Sequence, residues 1–122
     1  MESERHDADV VTVKLSGQFL HVRWAPGAVV SERDAQALMS RATEQSSGRI
    51  LPMLVEMASM KWIDRCAREV FAAPWPLARM ALVGASPVDE VMAGFYTARH
   101  TPTCPIRFFT SVDKAITWLT EE

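Results

Sequence analysis

Hydrophobic positions along the chain recur with two different periods. In residues 10–15, Val11, Val13 and Leu15 alternate with Val10, Thr12 and Lys14, the period of two that marks a strand with unlike faces. Gly17 and Gln18 suit a tight turn. Residues 19–24 then resume the alternation, with Leu20, Val22 and Trp24 on one side and His21 and Arg23 on the other. The two runs predict an antiparallel hairpin. Pro26 and Gly27 break it, and Ser31-Glu32-Arg33-Asp34 combines an N-cap residue with a carboxylate three places on, which predicts a helix to about Gln45. Ala35, Leu38, Met39 and Ala42 form its inward stripe, and Ser46, Ser47 and Gly48 end it.

Residues 50–57 are almost continuously apolar, as expected of a central parallel strand covered on both faces, with Pro52 restricting pairing at its start. Asp64 is expected to cap a short helix whose inward face holds Cys66, Ala67, Val70 and Phe71, until Pro74 and Pro76 stop it. Another buried strand is predicted at 79–84. Ser86-Pro87-Val88-Asp89 is the clearest helix start in the chain, followed by an apolar stripe of Val88, Val91, Met92, Phe95 and Tyr96 and a proline-flanked loop at 101–105. A strand at 106–109 and a helix opened by Ser111, with Val112, Ala115, Ile116 and Leu119 inward beside Trp118, close the chain. This order predicts an α/β fold, a single mixed sheet of about five strands with one antiparallel edge strand, and about four helices.

Composition narrows the picture. At 122 residues and 48% hydrophobic, the chain can build one core, expected over 9–122 behind a polar, aperiodic tail at 1–8. The balance of 13 Lys+Arg against 15 Asp+Glu leaves no basic footprint for nucleic acid or an anionic membrane. No apolar run reaches the ~18 residues needed to cross a bilayer and no signal core follows Met1, so a cytoplasmic location is expected. Cys66 and Cys104 follow neither a CxxC nor a zinc-ligand spacing, and both are expected as free thiols.

Trp62-Ile63-Asp64, set between a strand ending in Glu56-Met57 and a helix, resembles the corresponding segment of the STAS domain family, the SpoIIAA-like anti-sigma-factor antagonists and their relatives. In that family an aromatic-aliphatic-Asp step precedes a Ser-Ser-Gly helix start. Here Arg65, Cys66 and Ala67 follow instead, so the resemblance implies an uncharacterised branch lacking the phosphorylatable serine. The passage ALVGASP and the closing Arg107-Phe108-Phe109, Ala115 and Trp118-Leu119 are similar to the broader group of STAS-like proteins. The resemblance implies the fold and a regulatory or interaction role.

In an open parallel sheet, ligands gather beyond the carboxyl ends of the strands. That position draws together Ser59, Lys61, Trp62, Asp64, Arg65, Ser86 and Ser111 as a face for a ligand or a protein partner. Helix capping alone also selects Asp64, Ser86 and Ser111. Lys61, Arg65 and Arg68 can receive a phosphate or carboxylate, or form a solvated basic face partly offset by Asp64 and Glu69. Cys66, in a first helical turn beside arginines, has a setting that lowers a thiol pKa, whereas its inward position makes it a small core residue. No carboxylate pair, phosphate-cradling glycine loop or metal cluster is visible, so no catalytic residue, metal or cofactor is expected.

The reading that joins these features is a non-enzymatic interaction domain binding a protein partner at the strand carboxyl ends. Two alternatives stand beside it. One is a small-molecule or lipid carrier, with Met53, Met57, Met60, Met80, Met92, Trp24, Trp62, Phe95 and Tyr96 lining an apolar Sec14-like pocket rather than packing a core. The other is a thiol sensor or enzyme at Cys66. An exposed Trp62 or Trp75 would serve a protein partner or a homodimer.

Overall fold

β1 (Val11–Ser16) and β2 (Phe19–Trp24) form the expected hairpin, in register from Val11 opposite Trp24 to Ser16 opposite Phe19. Gly17 has φ +66° while Gln18 stays at negative φ, the pattern of a two-residue turn with glycine at its first central position. The chain continues through β3 (Val29–Val30), α1 (Glu32–Ser46), β4 (Leu51–Glu56), β5 (Trp62–Ile63), α2 (Arg65–Ala72), β6 (Leu77–Val83), β7 (Ile106–Phe109) and α3 (Val112–Leu119). The computed structural model describes residues 11–57, 62–72, 77–84 and 104–121. The helix predicted from Ser86 and the tail at 1–8 lie outside them.

The main sheet has the order β1-β2-β4-β6-β7, parallel throughout except for β1. Each crossover steps one strand further in the same direction, and crossovers of one hand then put their helices on one face. The packing agrees. Ala35, Leu38 and Ala42 of α1 and Ala67 of α2 bury against Val11, Val13, Leu20, Val22, Trp24, Met53, Val55, Met80 and Leu82. α3 lies on the opposite face, where Ala115 and Leu119 bury against Phe19, Leu54, Ala81 and Val83. Burying one such aliphatic side chain stabilises the fold by roughly 1.5–3 kcal/mol.

Three strands differ from their expected bounds. β1 runs to Ser16 rather than Leu15. β6 begins at Leu77 rather than Arg79, because Leu77 pairs with Leu51 across a register shift at Pro52, which has no N–H for the ladder. β4 begins at Leu51, leaving Ile50 66% exposed. The short β3 and β5 pair parallel in a separate two-stranded ladder that the hydrophobic pattern did not predict.

The first helix starts as its sequence requires. Ser31 Oγ accepts the Asp34 N–H at 3.2 Å, and the Asp34 carboxylate accepts the Ser31 N–H at 3.0 Å, completing a capping box. Further along, the Arg41 Nη1 and Gln45 Nε2 groups of α1 donate to the Val11 and Val13 carbonyls at 2.9 and 3.5 Å. Side chains of α1 thus occupy the outer edge of β1, the place where another strand would add.

The α3 face is covered unevenly. α3 packs on β4, β6 and β7, with Phe19 of β2 at its flank. Beyond that flank the face is polar: Lys14 on β1, His21 and Arg23 on β2, and Glu56 at the end of β4.

Candidate functional site

The carboxyl ends of the strands are organised by the two-stranded ladder. A turn closed by the Ala28 N–H on the Ala25 carbonyl at 3.1 Å leads β2 into β3. β3 then holds β5 in register, Val29 opposite Trp62 and Val30 opposite Ile63, with Trp62 N–H donating to Ala28 O at 3.3 Å and Asp64 N–H to Val30 O at 2.8 Å. The period of two sorts the four side chains. Val30 is fully buried and Ile63 packs on the core, whereas Val29 and Trp62 are 54% and 51% exposed.

Each short strand runs directly into a helix, so the ladder sets the start of α2 beside the start of α1. At the first, Ser31 and Asp34 satisfy the leading amides. At the second, the Asp64 carboxylate accepts the N–H of the adjoining Arg65 at 3.2 Å, which is the N1 amide rather than the N2 or N3 amide of an ordinary cap. Arg65 is exposed at the first position of α2.

Cys66 differs from its expected place. It is exposed, and the fully buried residue of that turn is Ala67, with Val70 half-buried three positions on. Ala67 and Val70 thus keep their expected inward places, and Cys66, about 100° around the helix from Ala67, falls outside the narrow stripe. Cys104 is half-buried, and desolvation pushes its thiol pKa up. Both cysteines are free thiols.

Of the residues singled out by position, the structure brings Trp62, Asp64, Arg65 and Cys66 to one rim. Ser111 stands apart: it accepts the Lys114 N–H at 3.3 Å and caps α3, on the face opposite α2. Ser59, Lys61 and Ser86 lie outside the described residues, as do Met60, Trp75, Met92, Phe95, Tyr96 and the side chain of Arg68. Among the described residues no group of three metal-ligating side chains occurs and no helix is long and apolar enough to cross a membrane.

Trp24, Met53, Met57 and Met80 of the predicted apolar pocket are core residues, each under a tenth exposed. An open groove among the described residues lies at the other end of the sheet, between the end of α1 and the starts of β4 and β6, lined by Ala42, Ser46, Ile50, Leu51 and Leu77.

Two arrangements had no clear signal in the chain. Val29 sits in a two-residue strand, too short to show a period. His21 and Glu56 are 35 positions apart, yet the imidazole Nε2 meets the carboxylate Oε2, and Arg23 Nε lies 3.7 Å from the same oxygen. Only the parallel pairing of β2 with β4 unites them.

Residues 13–122 match the family model of a domain of unknown function, DUF7793. The chain belongs to this family. Among solved structures, a DUF3478-family protein with a SpoIIAA-like fold from Shewanella loihica PV-4 is similar over 89% of this DUF7793 chain and 91% of its own, with 13% identity and a TM-score of 0.64. That likeness shows the fold, a SpoIIAA-like mixed α/β sheet. A protein of unknown function from Arthrobacter sp. FB24 shares 38% identity over 91% of this chain and 100% of its own, with a TM-score of 0.37. No curated protein matches.

Proposed function

We propose that this DUF7793 domain is a non-enzymatic, STAS-like regulatory module that binds a protein partner at the carboxyl-end rim of its sheet. The observation that carries the reading is the outward pair Val29 and Trp62, half exposed on a ladder whose other two side chains are anchored in the core. A large aromatic held in place on a rigid backbone loses little conformational freedom when it is covered, which is the property of an interface anchor. Asp64 and Arg65 supply polar groups at its border. In this reading Cys66 borders the same surface and has no chemical role.

The measurement is native mass spectrometry of the protein purified from its own source, followed by the same measurement on Trp62→Ala. A stoichiometric complex with a second polypeptide, lost in Trp62→Ala and kept in a control at the exposed Glu44, Glu44→Gln, is the expected result. A bound small molecule released on denaturation, with no polypeptide partner, would overturn the reading in favour of a carrier.

A further inference from the structure

We propose that the open half of the α3 face, centred on Lys14 and Arg23, docks an extended acidic segment of a partner polypeptide, at a surface separate from the rim that carries Trp62. In the hairpin register Lys14 stands opposite His21 and Thr12 opposite Arg23, so Lys14 and Arg23 are diagonal neighbours on one face. Diagonal positions on a sheet lie about 7–8 Å apart. In an extended chain, side chains two residues apart project from the same side at about 7 Å. Glutamates or aspartates at alternate positions of such a segment therefore match both cations at once, a fit that a compact anion cannot make.

Charge points the same way. Among the described residues Glu56 is the single carboxylate placed by strand register on this part of the face, and it is engaged by the His21 imidazole. Arg23 approaches Glu56 only through Nε at 3.7 Å, and its side chain remains 68% exposed, leaving the outer guanidinium nitrogens open. Among the described residues Lys14 has no partner. A surplus of positive charge thus sits on an otherwise slightly acidic chain of net charge −2. The flank of α3, with Phe19 buried beneath it, bounds the strip on one side. On the other, Arg41 and Gln45 hold the carbonyl edge of β1, so the segment would lie across the side chains rather than add as another strand.

The test uses the whole chain and two fluorescein-labelled flexible peptides, one with glutamate at every second position and one with glutamine there. Fluorescence anisotropy measures binding, and amide NMR shifts map it. The glutamate peptide is expected to bind in a salt-sensitive way and to shift amides of β1 and β2. Lys14→Gln combined with Arg23→Gln should weaken binding about tenfold, whereas Trp62→Ala should leave it unchanged. Both cations are exposed, so circular dichroism of the double variant should match that of the parent chain. Three results would overturn the proposal: equal binding of the glutamine peptide, shifts mapping away from β1 and β2, or displacement by inorganic phosphate at the same charge concentration. Retained peptide binding after loss of the rim complex, or the reverse, separates this proposal from the function proposed for Trp62.

Discussion

The two faces of the sheet are built to different standards. One is apolar across its width: β1, β2, β4 and β6 contribute Val11, Val13, Leu20, Val22, Trp24, Met53, Val55, Met80 and Leu82, and α1 and α2 cover them. The other is apolar only where α3 lies, over Leu54, Ala81 and Val83, and becomes charged at β1 and β2. The difference follows from connectivity. Among the described residues the helices that follow β2 and β4 lie on one face, as crossovers of one hand that step in one direction require, and the other face carries the helix that follows the last strand. Eight residues of α3 cannot span five strands, and on the hairpin the polar side chains of Thr12, Lys14 and Arg23 are exposed. Where stability is concentrated and where a surface is available for binding are set by the same topological fact.

The sharpest way to break this comparison uses two adjacent residues that point to opposite faces. Met53→Ala and Leu54→Ala should each cost about 2–5 kcal/mol in urea unfolding, since both side chains are fully buried. Hydrogen exchange should then separate them, with amides of α3 losing protection in Leu54→Ala and those of α1 in Met53→Ala. Identical exchange patterns would show that the two faces do not open independently.

A smaller effect is expected at the helix starts. Ser31→Ala removes a reciprocal capping box and should cost about 1 kcal/mol, while Ser111→Ala removes one 3.3 Å hydrogen bond and should cost less. Equal losses in thermal unfolding would mean that the capping box adds nothing beyond a single bond. The smallest change belongs to the open half-face. Glu56→Gln keeps a hydrogen-bonding group beside His21 and should shift stability by less than about 1 kcal/mol. A loss of several kcal/mol would place His21 and Glu56 with buried ion pairs and would extend the core further under this face than its exposure indicates.

Much of this architecture was legible in the chain because long elements repeat their signal. The alternation of 11–15 and 19–24, the helical stripe Ala35, Leu38 and Ala42, and the Ser31 and Ser111 starts each rest on several residues that agree. Where one residue had to decide, the reading failed. In α2, Cys66 was read as inward beside Ala67 and Val70 but is exposed, since a helix turns by about 100° per residue and a short stripe cannot locate its own edge. The ladder of β3 and β5 was hidden because two residues cannot display a period of two. The strand-end rule anticipated the position of Trp62, Asp64 and Arg65 at the rim, but not that of Val29, which stands opposite Trp62 in the ladder.

By itself, the order of hydrophobic periods determined that this protein is a mixed α/β sheet with an antiparallel first strand, because local backbone preferences and amphipathic faces are properties of neighbouring residues. Only the tertiary structure decided which face each side chain shares and with whom. His21 meets Glu56 and Val29 meets Trp62 only once strand order and register are set, since those contacts depend on pairings between distant segments that no local pattern encodes.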